Sequence, residues 1–340
     1  MVICPYLKIK FQKVKAQKFR LKGAIFFLTA VIFSTGSQLV SAQKFVLPIL
    51  PDTQSEVGSK PEMFYSQLNW IAKSKDSLNM PIVLHVGDLV NFDNIKHYET
   101  ASKGYKILDS AKVGYAIAVG NHDTEAVGVN SGSAAPGNVN QNLRKTTKFN
   151  TYFPVSRFTM QKGRYEENKS DNAYYTFKAG GMKWLVITLE FCARQGPVDW
   201  ANKIISDNKK YNVIILTHFH LTPKGEINKT NAGYGDLTTK AIYDQMISKH
   251  KNVRMVLSGH VVPSAHRIDK GEKGNDIYQM LQDYQHEDFG GGYIRLLEID
   301  TKKKTMSAKM YSPYYNKTRE DESKFSFSDV KFLKRKWLFN

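Results

Sequence analysis

Five apolar runs in this sequence finish abruptly in residues that bind metals or move protons. VLPILPDTQ ends in Asp52 and Gln54, and IVLHVGDLVN in Asp88 and Asn91. YAIAVGNHD ends in Asn121, His122 and Asp123, VIILTHFH in His218 and His220, and RMVLSGH in His260. Each end has an ordinary reading by itself. Asp after a strand caps a helix or closes a turn, Asn-His-Asp is common turn composition, and one Gly-His says little. Repetition carries the signal, because every one of the five runs delivers Asp, Asn or His, and three of them follow or include Gly. Carboxylate, amide and imidazole gathered around one point make a mixed oxygen and nitrogen site. Such donors suit Mn, Fe, Zn or Mg rather than a thiolate-selected metal. Two ions ~3.5–4 Å apart need a bridging carboxylate, and together they activate water and clamp an in-line phosphoryl displacement. Asp88 is the natural bridge, since it stands second among the ends and Gly87 before it lets the backbone approach closely.

The elements that would hold these residues alternate in type. Strand-like runs at 46–50, 81–86, 115–119, 213–217 and 253–258 alternate with helix-like segments at 94–110, 197–210 and 238–251 and with a helix opened by Ser59-Lys60-Pro61. The pair YYTFKA and MKWLVITLE reads as two strands around Gly180-Gly181. Residues 124–172 are polar and rich in Gly, Ser and Asn, and read mostly as loop. After residue 258 the pattern changes: DIYQMLQDY, GYIRLLEID and TMSAKMYS follow with no helix between them, so antiparallel pairing is expected, and KFSFS adds a last strand. Alternation implies a largely parallel sheet covered by helices, and the strand-only side implies a second, mixed sheet packed on it. In open α/β sheets ligands bind at the carboxyl ends of strands, which is where the polar residues stand.

Composition bounds the setting. Residues 1–22 hold seven Lys and Arg and no acid, an apolar run follows, and Val40-Ser41-Ala42 supplies small residues. That pattern describes a secretory signal peptide cut after Ala42; the competing reading, an uncleaved anchor, needs ~20 unbroken apolar residues, and Ser34 to Gln38 interrupt the run. Cleavage leaves residues 43–340 with no membrane span, and predicts a secreted or periplasmic protein of one domain, 43–330, with a basic aromatic tail at 331–340. The net charge of +18 falls to +11 without the leader, which suits anionic partners. No basic stretch is regularly interleaved with aromatics, so no nucleic-acid motif is present, and no protein partner is evident. Of two cysteines, Cys4 leaves with the signal and Cys192 remains; it reads as a small semi-buried residue rather than a nucleophile. Sequons at Asn168, Asn228 and Asn316 matter only in a glycosylating host.

Asp52-Thr53-Gln54, Gly87-Asp88, Gly120-Asn121-His122-Asp123, Thr217-His218 and Gly259-His260 together resemble the calcineurin-like metallophosphoesterase superfamily, from about Val46 to Pro313. The resemblance implies an α/β fold, a four-layer α/β/β/α sandwich of two mixed sheets flanked by helices. It implies that Asp52 and Asp88 hold a first metal and that Asp88, Asn121, His218 and His260 hold a second. His122 would stand by the leaving-group oxygen as general acid or electrostatic stabiliser, and a metal-bound hydroxide would be the nucleophile. The first metal site departs from the family's pattern. D-x-H reads here as D-T-Q, and G-H-x-H reads as G-H-V-V, so Gln54 and Val262 stand where histidines are common. Three readings stay open: a loose site built from Asp52, Gln54, Asp88 and water; replacement by His220, Asn91 or His266; or a single tight ion. D-T-Q with the later Asp283-Tyr284-Gln285 also resembles an exported bacterial branch of the superfamily.

Weaker expectations attach to other residues. Glu190 and Arg194 orient a ligand histidine or a phosphate, or form a plain ion pair. Tyr284 and Gln285 line a pocket rim, and Asp123 bonds locally and orients His122. His85, inside an apolar run, reads as a core histidine. The expected activity is metal-dependent hydrolysis of an anionic phosphate ester, monoester or diester, with one or two divalent ions per chain. The alternative is a non-catalytic envelope binding protein on the same scaffold, and retention of His122 argues against it. A cleft for nucleotides or nucleic acid would differ only in substrate.

Overall fold

The computed structural model describes residues 43–130 and 135–333, which belong to one compact unit. The expected leader at 1–42 and all but three residues of the expected tail lie outside the described residues. Among the described residues, no helix is long and apolar enough to cross a membrane.

Among the described residues, two seven-stranded sheets make up the body. In the first, β1 (Lys44–Leu50), β2 (Val83–His85) and β3 (Tyr115–Ile117) run parallel. They are connected through α1 (Gln54–Ser59), α2 (Pro61–Ser74) and α3 (Ile95–Ser110). Pro61 opens α2 because its missing N–H and fixed φ suit a first helical turn. Asn94 caps α3, its side chain accepting from His97 N at 2.9 Å.

The segment expected as loop, 124–172, is more ordered than its polarity suggests. It holds α4 (Val139–Leu143), α5 (Thr147–Tyr152), a 3-10 turn at Val155–Arg157 and β4 (Gln161–Arg164). Phe149, Phe153 and Phe158 from this segment are buried in the main core. Each buried ring contributes on the order of 1.5–3 kcal/mol, enough to pin segments too short to show a helical period.

The second sheet begins with β4 and continues through β5 (Ala173–Ala179), β6 (Met182–Leu189), β7 (Asn212–Thr217), β8 (Val253–Ser258), β9 (Ser264–Lys270) and β10 (Asp276–Gln282). Its order is β4-β5-β6-β7-β8-β10-β9. α6 (Gln195–Asp207) links β6 to β7. The helix expected at 238–251 is short: α7 (Thr239–Ile242) passes into a π-turn ending at Ile247. β10 departs from the expected antiparallel pairing. It runs parallel to β8 and antiparallel only to β9. The chain then returns to the first sheet with β11 (Ile294–Asp300), antiparallel to β1, and β12 (Thr305–Ser312), followed by β13 (Lys317–Thr318) and β14 (Phe325–Phe327) on β12.

The layers follow from which side chains each strand buries. β7 sends Ile214 and Leu216 into the core between the sheets, and Val213 and Ile215 into the core under α6 and α7. Phe45 of the first sheet meets Trp184 of the second edge-on at 5.5 Å between ring centres. Phe64, Leu68 and Ile71 of α2 and Tyr98, Tyr105 and Leu108 of α3 cover the first sheet. The fold is the expected four-layer α/β/β/α sandwich of two mixed sheets flanked by helices.

Candidate metal centre

All five polar strand ends converge where the two sheets meet. β1, β2 and β3 deliver Asp52, Asp88 and Asn121 from the first sheet, and β7 and β8 deliver His218 and His260 from the second. Two bonds stitch the sheets together at this point. His218 Nδ1 is 2.9 Å from the carbonyl oxygen of Val86, and His260 N donates to Asp52 Oδ2 at 2.9 Å. Glycine makes the crowding possible. A Cβ on Gly120 would land on the Asp88 carboxylate, and one on Gly259 would land on Asp52 Oδ1. Asp88 and His260 both sit in left-handed backbone, at φ +51° and +72°. That conformation costs roughly 1–2 kcal/mol for a residue with a Cβ, and such strain gathers at functional sites.

With Nδ1 donating to Val86, His218 turns Nε2 toward the acids, 3.1 Å from Asp88 Oδ2 and 3.9 Å from Asp52 Oδ2. His260 Nδ1 lies 3.2 Å from the same Nε2. Ligand atoms of Asp88, His218 and His260 all fall within 4.8 Å of one another. Burial, and then Asp283 and Asp88, hold the Asp52 carboxyl well above the ordinary range. Burial also acts to raise Asp88, but the His218 and His122 imidazoles outweigh it and hold that carboxyl below the ordinary range. Burial and the neighbouring His218 push His260 down to about 3, so its imidazole is neutral with a lone pair to offer.

These residues fit divalent cations on an independent ground. Asp52 Oδ1, Gln54 Oε1 and Asn121 Oδ1 are buried acceptors with no hydrogen-bond partner. The other end of each amide is taken: Asn121 Nδ2 donates to the Tyr234 hydroxyl at 3.3 Å, and Gln54 Nε2 donates to Gln285 Oε1. Both amides therefore keep their oxygens unmatched. An unmet buried acceptor costs about 1–3 kcal/mol, and a cation is the partner such oxygens lack. Oxygen and imidazole donors in this mixture suit Mn, Fe, Zn or Mg.

His122 is half-buried beside this group. Its N–H donates to Asp88 Oδ1 at 2.9 Å, and its Nδ1 is 2.6 Å from the Asn91 carbonyl. That carbonyl, not Asp123, orients the ring. Asp123 Oδ1 accepts from Val90 N at 3.1 Å and Oδ2 from Gly120 N at 2.9 Å, which ties the loops after β2 and β3 together. Burial and the nearby Asp88 push its carboxyl up to about 7.

None of the three suggested replacement ligands moves in. His220 Nε2 is bound to Gln279 Oε1 at 2.6 Å, and His266 stacks on Phe325 with ring centres 4.0 Å apart. Asn91 lies against Gly58 and uses its carbonyl on His122. His85 is the expected core histidine, with Nε2 2.9 Å from Thr53 Oγ1 and Nδ1 accepting from Gly87 N at 3.1 Å. Glu190 and Arg194 pair with each other at 2.8 Å, and Arg194 also meets Glu166. Cys192 is buried, and burial pushes its thiol up to about 12, far from a nucleophile's range. Tyr284 is buried beneath the Arg319 guanidinium rather than on a rim.

Asp283 was not among the expected site residues, yet it is fully buried and close enough to Asp52 to act on its carboxyl. It follows β10 directly. The sequence signal is the same as at the other ends, a run stopping in Asp-Tyr-Gln, which enters the sequence reading only as part of the resemblance to an exported branch.

Comparison with known proteins agrees with this geometry. Residues 49–264 match the calcineurin-like phosphoesterase family. Bacillus subtilis (strain 168) carries an uncharacterized protein, YvnB, 28% identical over 276 residues, which covers 78% of this chain and 20% of YvnB. The chain thus spans a fifth of that relative's length. Among solved structures, purple acid phosphatase PPD1 from yellow lupin seeds matches with a TM-score of 0.52 at 15% identity, over 85% of this chain and 54% of that one. A dimetal phosphatase from Danio rerio matches with a TM-score of 0.50 at 11% identity, over 84% of this chain and 98% of that one. At such identities the two structures speak for the fold. The family match covers more than half of the sequence, and the chain belongs to the calcineurin-like phosphoesterase family, the metallophosphoesterases.

Proposed function

We propose that this chain hydrolyses a phosphate ester at the junction of its two sheets, with Asp88, Asn121, His218 and His260 holding one divalent cation and Asp52, Gln54 and Asp88 a second. The observation that carries this reading is the set of three buried, unpartnered oxygens on Asp52, Gln54 and Asn121, grouped with the Asp88, His218 and His260 cluster. Cations bound there supply Lewis acidity toward a phosphoryl oxygen and lower the pKa of a bound water.

The chain's own groups have separate tasks. Val86 fixes the His218 tautomer, so that Nε2 is the donor atom facing the acids. Tyr234 takes the amide nitrogen of Asn121 and leaves the oxygen facing in. Asn91 holds Nδ1 of His122, so the exchangeable proton of that ring is carried on Nε2. In its protonated form His122 donates that proton to the oxygen of the departing alcohol, which leaves neutral. Anchorage to Asp88 through its backbone keeps the imidazole beside the reacting group. The half-buried position of His122 leaves one face for a substrate.

The test is turnover of a chromogenic phosphomonoester and a phosphodiester with Mn, Mg, Zn or Fe, and with chelator. Activity is expected with at least one metal and none with chelator. No turnover of either ester with any metal would favour a binding protein on this scaffold. The same assay decides between monoester and diester.

We also infer export, from the basic start, apolar run and small residues before Gln43. Protein recovered from the periplasm or medium should begin at Gln43. An intact residue 1–42 segment on the recovered protein would overturn that.

A further inference from the structure

Val262 stands where the family's pattern commonly has a histidine, and it brings no donor atom to the first half of the metal centre. What stands nearby is a chain of three polar side chains from two distant stretches. Asp283 Oδ1 accepts from Gln285 N at 2.9 Å, and its Oδ2 accepts from Gln285 Nε2 at 3.0 Å. Gln285 Oε1 in turn accepts from Gln54 Nε2. The order of donors and acceptors has one consequence. A carboxylate only accepts, so Gln285 must turn its nitrogen to Asp283 and its oxygen to Gln54. Gln54 must then use its nitrogen on Gln285, and its Oε1 is left buried without a partner.

Placement agrees with this role. β10 runs parallel to β8, so Asp283 leaves its strand at the same end of the sheet as His260. Asp283 N donates to the Pro263 carbonyl at 2.8 Å, which fastens it to the loop that carries Val262. Asp283 is fully buried, and Asp52 Oδ1 is a second buried acceptor without a partner in the same half of the site.

We propose that Asp283 and Gln285 rebuild the altered half of the metal centre: they clamp Gln54 so that Oε1 faces a hard divalent cation, and Asp283 adds a negative charge close to Asp52. An amide held in one orientation binds such a cation without the ordering cost of a free side chain, and oxygen donors favour Mg or Mn. Asp283 and Gln285 are positioning residues here; Gln54 and Asp52 touch the ion. This rests on the metal-centre reading above.

The test is Mn²⁺ binding to chelator-treated, full-length protein, followed by calorimetry and by metal content per chain. Wild type should bind two ions of different affinity. Gln285→Leu and Asp283→Asn should weaken the looser ion about tenfold to a hundredfold, the range for losing a residue that orients a ligand, and leave the tighter ion unchanged. Gln54→Leu, which removes the oxygen itself, should weaken the looser ion at least as much as Gln285→Leu and leave the tighter ion unchanged, a selectivity that general damage to the fold would not produce. Melting in chelator checks that each variant is folded, and Gln285 is only half-buried. Unchanged affinity for both ions in Gln285→Leu and Asp283→Asn would overturn the clamp and leave the metal centre standing. A single ion in wild type would overturn the clamp and leave a one-ion hydrolase. No ion at all in wild type would overturn both.

Discussion

His218 Nε2 stands 3.1 Å from Asp88 Oδ2, and the two residues come from different sheets. Asp88 faces His218, receives the His122 N–H on its other oxygen, and has Gly120 packed against it; in the proposed centre it is the acid that both ions share. Asp88→Asn keeps the shape and removes the charge. Bound metal should fall at least tenfold, read as metal content per chain after dialysis, because removing a carboxylate ligand costs at least what an orienting residue does. Full occupancy in Asp88→Asn would show that the ions do not depend on this carboxylate.

His122→Ala should separate binding from chemistry. The ring contacts Asp88 through its backbone N–H, which alanine retains. Metal content should therefore stay at the wild-type level while kcat drops ~10²-fold or more, the usual worth of a positioned general acid. An ester with a very acidic leaving group should lose less, because its oxygen departs without a proton. Equal losses for good and poor leaving groups would remove the proton-donor role.

Gly259→Ala tests the close approach at the end of β8. The new Cβ would land on Asp52 Oδ1, with Val86 Cγ2 at 2.7 Å, so the carboxylate has to move. The looser ion should be lost while the helices and sheets persist, with destabilisation of about 1–3 kcal/mol from overpacking. Metal titration and urea unfolding of the same sample read both effects. Wild-type affinity for both ions would mean that the loop opens freely.

His220 predicts a pH dependence of stability away from the chemistry. Burial holds its imidazole down at about 4, against the hydrogen bond that its Nε2 donates to Gln279 Oε1, while the unfolded chain protonates near 6.5. Between those values the unfolded state binds more protons than the folded state. The contribution of this residue is therefore present above pH 6.5 and lost as pH falls toward 4, by about 3 kcal/mol at 1.36 kcal/mol per unit. His220→Gln carries no such titration, so wild type should lose stability relative to it on going from pH 7 to pH 5. Parallel unfolding curves at both pH values would contradict a buried neutral His220.

Legibility in the sequence followed the directness of the signal. Gly87-Asp88 and Gly120-Asn121-His122-Asp123 announce a site because strand, glycine and ligand are contiguous, and contiguous residues share one backbone turn. The helix of 94–110 was readable from its period, and the structure begins it at Ile95 behind the Asn94 cap. The 124–172 segment was not, because α4 and α5 span 5 and 6 residues, too few to show a 3.6-residue repeat. Phe149, Phe153 and Phe158 are the residues that order it, and Phe153 and Phe158 pack on Tyr105 and Tyr175, which lie outside the segment.

The amino-acid sequence alone determined which residue types stand at the ends of the apolar runs, and hence that an oxygen and nitrogen metal site with a nearby imidazole was available. It also determined the alternation that makes a layered α/β fold. Tertiary structure alone decided the direction of β10, and with it the place of Asp283, because strand direction depends on which neighbour completes the hydrogen-bond ladder and not on the strand's own residues. It likewise decided that Gln54 meets Gln285, 231 positions away, and that His220 and His266 stay in other company. A side chain's partners are set by the packing of two sheets against each other, and no local spacing records that.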